Sequence, residues 1–122
     1  MKRLLFMLLL VAVMIGCKKE DPINPLYASY PTDILGNWTL TQVNDQPASS
    51  YSAYTITMIF NDDGTVIQHK FFDQSNSTYT TYSYDVSNDR LTINGVTFTI
   101  TKLDPNNLWY ASDEYVFKYT HL

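Results

Sequence analysis

The sequence predicts an all-β domain, a small up-and-down meander of about eight antiparallel strands that closes into a barrel. Three observations carry that prediction. From Ile34 onward, apolar and polar residues alternate with a period of two, and no helical run interrupts them. Turn signals recur at short intervals, at Asn61-Asp62-Asp63-Gly64, Asn94-Gly95, Asp104-Pro105-Asn106-Asn107 and Ser112-Asp113. Ten tyrosines and a threonine-rich pattern favour strands over helices. Sequential short hairpins give a meander, and a meander of this many strands removes its edges by closing on itself. The 122 residues supply one domain and leave no room for a second core.

Residues 1–16 read as a signal peptide. Lys2-Arg3 is its positive start and Leu4 to Ile15 its continuous apolar stretch. Twelve residues of helix rise about 18 Å, well short of the roughly 30 Å hydrocarbon core, which argues against a permanent span. The run ends in Met14-Ile15-Gly16-Cys17, which resembles the bacterial lipobox, with Met14 where that motif usually has Leu. The resemblance implies cleavage before Cys17 and a diacylglycerol thioether on its sulfur. The alternative is an ordinary secretory signal with an incidental cysteine. Against it stands the place of Cys17, the one cysteine of the chain, which has no disulfide partner in an exported protein. Two or more acyl chains, at about 0.8 kcal/mol per buried methylene, hold such a protein to the membrane.

Residues 17–33 read as the lipidated cysteine and a flexible tether. Pro22, Pro25 and Pro31 bias residues 18–32 toward an extended, polyproline-like spacer reaching about 45 Å. Lys18-Lys19-Glu20-Asp21 resembles the charged signal that sends some Bacteroidetes lipoproteins to the cell surface; a plain solvated spacer is the other reading. The expected address is the outer membrane, facing periplasm or surface. Loss of Lys2 and Arg3 on cleavage leaves six basic against twelve acidic residues, a net charge of −6. With no basic cluster beyond Lys18-Lys19, nucleic acid is not an expected partner.

Residues 34–122 carry the barrel. Gly36 to Val43 places Trp38 and Leu40 on one face. Tyr54 to Phe60 is the clearest strand, with Tyr54, Ile56, Met58 and Phe60 together. Gly64 then supplies a positive φ for the turn into Thr65 to Phe72. Tyr79 to Val86 puts Tyr82, Tyr84 and Val86 on one side. Arg90 to Ile93 and Val96 to Lys102 flank Asn94-Gly95, the strongest short hairpin signal. Leu108 to Ala111 and Glu114 to Tyr119 form the last hairpin. Asn44–Ser52 and Asp73–Ser77 are the expected long loops.

Leu35-Gly36-Asn37-Trp38, then Ile59-Phe60-Asn61-Asp62-Asp63-Gly64-Thr65, then Tyr115-Val116-Phe117-Lys118 resemble the lipocalin-like domains of Bacteroidetes lipoproteins, over roughly residues 34–122. The resemblance implies that Trp38 packs at the closed end of the barrel and that a basic residue of the last strand, here Lys118, lies across it. The chain is much shorter than a full lipocalin.

Little else in the sequence carries chemistry. His69 and His121 stand at no metal-ligand spacing, Asp62-Asp63-Gly64 lacks the alternating ligands of a calcium loop, and the scattered glycines make no phosphate loop, so no metal or cofactor is expected. No pair of groups suggests an enzyme. The aromatic stripe (Tyr54, Phe60, Phe72, Tyr82, Tyr84, Phe98, Tyr110, Phe117) reads first as core; its hydroxyls need partners or water, which also suits a ligand site. Tyr54, Met58, Tyr82, Tyr84 and Tyr110 are the candidate ligand residues. Two functions follow: a non-catalytic module holding a small apolar or amphipathic ligand at the barrel mouth, or a filled structural module that meets an envelope protein. Bulky inward residues predict a lower half packed around Trp38, and any pocket shallow, at the opposite end and rimmed by tyrosine hydroxyls.

Overall fold

The computed structural model describes residues 24–122. The expected signal peptide, Cys17 and the tether as far as Ile23 lie outside the described residues. Strands run β1 (Gly36–Val43), β2 (Gln46–Pro47), β3 (Thr55–Phe60), β4 (Thr65–Asp73), β5 (Asn76–Ser87), β6 (Arg90–Ile93), β7 (Val96–Leu103), β8 (Asn107–Ala111) and β9 (Val116–His121). All but β2 pair antiparallel in sequential order, and β9 closes onto β1. The expected eight-stranded meander barrel is therefore the observed fold.

Backbone chemistry sets its turns. Asn94 and Gly95 both take positive φ, 51° and 82°, as a two-residue hairpin turn of mirror type requires. Gly64 does the same at 85°. Asp63 Oδ1 there accepts from the Thr65 hydroxyl at 2.6 Å and the Thr65 N–H at 3.0 Å. Those bonds hold its carboxyl below the usual range.

The structure departs from the expected elements in four places. Asn44–Ser52 is not one long loop: Asn44 and Asp45, at φ 53° and 63°, turn the chain tightly into β2, and Ala48–Ser50 is a 3-10 turn. Asp73–Ser77 is no long loop: Asp73 pairs with Asn76 across a tight turn, and β4 and β5 form one long hairpin. Asp73 makes that turn by accepting from the N–H groups of Ser75 and Asn76, a local aspartate bond that the composition alone hides. Tyr54 precedes β3 and is 40% exposed, so it leaves the face that Ile56, Met58 and Phe60 bury. Residues 24–33 are not an extended spacer. Pro25–Tyr27 is a 3-10 turn and Tyr30–Asp33 a single helical turn, α1. Pro25 and Pro31 sit in first-turn positions, where a missing N–H costs nothing, so proline here marks helix starts. The Asn24 N–H donates to Asn88 Oδ1 at 2.7 Å, and Tyr30 packs on the core.

The core is polarised along the barrel. The fully buried large side chains are Trp38, Phe60, Ile34, Leu91, Leu108 and Val66, all near the end where α1 and the turns at 61–64, 88–89 and 104–106 gather. Trp38 is wholly buried and its Nε1–H donates to the Ile34 carbonyl at 2.8 Å, which leaves no unsatisfied polar atom on the indole. The imidazole of His121, opposite Trp38 on β9, meets the ring edge-on at 4.8 Å.

Trp38→Ala is expected to destabilise the protein by about 3–5 kcal/mol. His121→Ala, which uncovers the indole, is expected to cost more than Lys118→Ala in urea unfolding. The reverse order would show that His121 does not cover Trp38.

Candidate functional site

The opposite end of the barrel is open. Around it stand the 44–54 connection, the β4–β5 turn, the Asn94-Gly95 turn and the β8–β9 turn. Inside lies a cavity of about 580 Å³. Its wall is built by inward positions of successive strands: Leu40 of β1, Ile56 and Met58 of β3, Gln68 and Lys70 of β4, Tyr82 of β5, Phe98 of β7 and Phe117 of β9. Bulky side chains fill the interior around Trp38, and the open space lies at the opposite end, where the sequence placed any pocket. Nearer the mouth β4 contributes Gln68 and Lys70, and a flexible polar stem leaves volume that an aromatic would occupy.

Two tyrosines on neighbouring strands meet at the cavity. Tyr110 of β8 and Tyr119 of β9 are 3% and 4% exposed, their rings stack at 5.3 Å, and their hydroxyls lie 2.8 Å apart. Tyr119 faces inward by the same alternation as Phe117, and the β9–β1 register slip is taken up on β1, where Leu40 and Val43 are both buried. Thr41, skipped by that slip, donates its hydroxyl proton to the Lys118 carbonyl. Burial pushes both phenols above their ordinary value of 10.0. Two hydroxyls sharing one bond use one proton and leave the second O–H without an acceptor among the described residues. Lys70 is the charged side chain of the lining, and no carboxylate lines it.

Of the candidate ligand residues, the cavity brings together Met58, Tyr82 and Tyr110. Tyr54 stays outside, edge-on to Phe72 at 6.0 Å. Tyr84 belongs to the closed end, where its hydroxyl donates to the Asn61 carbonyl at 2.7 Å and its ring meets Phe60. Alternation placed Tyr84 on the inward face correctly; its height along the barrel separates it from the mouth. Sequence reasoning missed Tyr119, Lys70 and Tyr51. Tyr119 shares the parity of Phe117, and that alternation could have found it; Lys70 was hidden by its charge. Among the described residues no group of three or more His, Cys, Asp or Glu could hold a metal ion.

No protein-family model matches the chain, and no curated protein matches it. Crystal structures do. A lipocalin-like protein from Bacteroides uniformis superposes with a TM-score of 0.60 at 14% identity, over 74% of this chain and 99% of that one. An uncharacterized protein from Bacteroides eggerthii gives 0.55 at 14% identity, over 72% and 98%.

The fold is lipocalin-like.

Within the lipocalin-like barrel one expected contact is replaced. Lys118 does not lie across Trp38. It pairs with Gln42, which turns its side chain to the outer surface, where Nζ bonds Asp45 Oδ1 at 2.8 Å and lies 4.2 Å from the ring centre of Trp109. Lys102 approaches the same ring at 4.5 Å, so Trp109 sits between two cations on the outside of the barrel. The residue over Trp38 is His121, three positions further on and on the parity of Phe117 and Tyr119.

The buried tyrosine pair makes the barrel sensitive to alkali. Above pH 10 an unfolded chain ionises both phenols while the folded barrel keeps them neutral, so stability is complete below that pH and falls as pH rises past it. Phenolate absorbance is expected to rise in two phases, the late one coinciding with loss of tertiary circular dichroism. A single phase at the ordinary tyrosine value would show that Tyr110 and Tyr119 are not buried.

Proposed function

We propose that this chain is an envelope lipoprotein whose lipocalin-like barrel is a non-catalytic binding module for a small apolar or amphipathic molecule. The observation that carries the reading is the 580 Å³ cavity at the open end, inside the roughly 300–1,000 Å³ range of small-molecule sites. Its lining suits an amphipathic occupant: Leu40, Ile56, Met58 and Phe98 offer an apolar wall, while Lys70 and the spare tyrosine proton offer groups for an acceptor or an anion. A filled structural module draws no support from an interior of this volume.

The lipobox-like Met14-Ile15-Gly16-Cys17 supports anchoring through lipid on Cys17. The chain enters the barrel at its closed end, where Asn24 bonds Asn88. Six residues separate Asn24 from Cys17, a span of about 20 Å at full extension, so the closed end would face the membrane and the mouth would face away from it. An occupant would then arrive from the aqueous side.

Anilinonaphthalene sulfonate, an anionic apolar fluorophore, is expected to brighten on binding the purified chain. Met58→Trp, which thrusts a larger ring into the cavity, should weaken that binding at least about tenfold. A probe that never binds, or that binds both proteins alike, would overturn the cavity as the site. The anchor is tested separately: Cys17→Ala should release the protein from membranes, and radiolabelled palmitate entering that variant would refute lipidation at Cys17.

A further inference from the structure

β5 is much longer than the strand beside it. β4 pairs with β5 up to the hairpin turn, whereas β6 pairs with Tyr84 through Ser87 alone. Above the Asn94-Gly95 turn, one edge of β5 therefore has no neighbour among the described residues. The alternation of the backbone shows which groups it presents. The Tyr84 N–H donates to the Gly64 carbonyl on the β4 side, and the Asn94 N–H donates to the Ser83 carbonyl on the other. Ser77, Tyr79 and Thr81 share the parity of Ser83, so their N–H and C=O groups point away from β4 into solvent. Residues 76–81 are all exposed.

This edge carries none of the usual protection. Natural edges are guarded by lysine, proline, a bulge or a covering loop. The barrel's other weak seam, where upper β1 parts from β3, is covered by β2 and the turn Ala48–Ser50. Asn76 to Ser83, by contrast, reads Asn-Ser-Thr-Tyr-Thr-Thr-Tyr-Ser, rich in strand-forming residues and without a single charge. The imidazole of His69 stacks on Tyr79 at 4.2 Å with parallel planes, which stiffens the arm.

We propose that this edge pairs with the same edge of a second copy of the chain, antiparallel about Tyr79. A second copy suits it for two reasons. The unpaired groups are symmetric about Tyr79, so a two-fold axis there sets Tyr79 opposite Tyr79 and Ser77 opposite Thr81 of the second copy. About six backbone hydrogen bonds form and no group on the segment is left over. The chain is acidic overall, and the neutral Asn76–Ser83 run lets two like-charged copies approach without facing carboxylates. The two tyrosine rings, 68% exposed in the single chain, become a cross-strand aromatic pair.

Sedimentation equilibrium of the full chain in detergent tests the pairing. A monomer–dimer equilibrium is expected, with dimer prevailing by about 100 µM. Thr81→Pro removes a free-edge N–H and leaves the β4–β5 bonds intact, so it should weaken the dimer at least about tenfold with an unchanged melting midpoint. Thr80→Pro, whose N–H faces β4, should lower the midpoint. If Thr81→Pro fails to fold, Tyr79→Lys, which brings two ammonium groups together at the axis, decides the matter by the same loss of dimer. A chain that stays monomeric overturns the proposal, including the case in which this edge serves an extended segment of another protein. A dimer indifferent to both Thr81→Pro and Tyr79→Lys overturns it as well.

Discussion

The burial of Trp38 is the constraint on which the rest of the barrel depends. An indole in the interior needs an acceptor for its N–H, and no side chain of the barrel wall supplies one. The Ile34 carbonyl does, which ties the helical turn Tyr30–Asp33 to the first strand and draws Ile34 into the core. The ring also needs a lid, and His121 provides it from the last strand, with its Nε2 at the edge of Gly36 where a Cβ would stand only 3.0 Å away. Gly36 carries a φ of 118°, so the close approach and the backbone conformation both call for glycine. The first and last strands meet over this one side chain, and their meeting is what turns an open meander into a barrel.

Closure at one end explains the opening at the other. Eight strands enclose a space that side chains can just fill or that can hold one small molecule. Here the choice changes along the barrel axis. The lower layers take Phe60, Val66, Leu91 and Leu108, which are buried together with Trp38. Above them β6 stops at Ile93 while β4 and β5 continue, so the wall is uneven and the upper interior meets solvent. The long β4–β5 hairpin is thus responsible for both the accessible cavity and the unpaired edge on its outer side.

Much of this was legible because alternation in a strand is a strict code. Leu40, Ile56, Met58 and Phe60 are buried as their alternation predicts, and the hairpins at Gly64 and Asn94-Gly95 stand where their residues place them. What alternation does not encode is slip and height. The bulge at Thr41 shifts parity midway along β1, so that Val43 is buried as well as Trp38 and Leu40; a second slip between Ile100 and Lys102 carries Lys102 outward to Trp109. Height separates Tyr84 from Tyr82 although both face inward. Proline has two meanings, extended chain and helix start, and only the packing of Tyr30 and the bond from Asn24 to Asn88 select between them.

The tyrosine pair shows how the wall and the cavity are coupled. Tyr110 and Tyr119 stack against each other within the β8–β9 hairpin, and Phe98 and Phe117 pack on Tyr110 at 4.9 and 5.6 Å. These contacts hold the rings, so the hydroxyl pair is fixed by packing and not by what fills the space in front of it. A spare buried O–H costs free energy until something accepts its proton. Water in the cavity can do so, and so can an acceptor on a bound molecule, which then displaces that water and makes the same bond on a preformed donor. The stability of the barrel and the affinity that the proposed occupant would have are therefore tied to the same two side chains. Replacing either tyrosine by phenylalanine alters both, because it takes away one proton and leaves the remaining hydroxyl to find its partner alone.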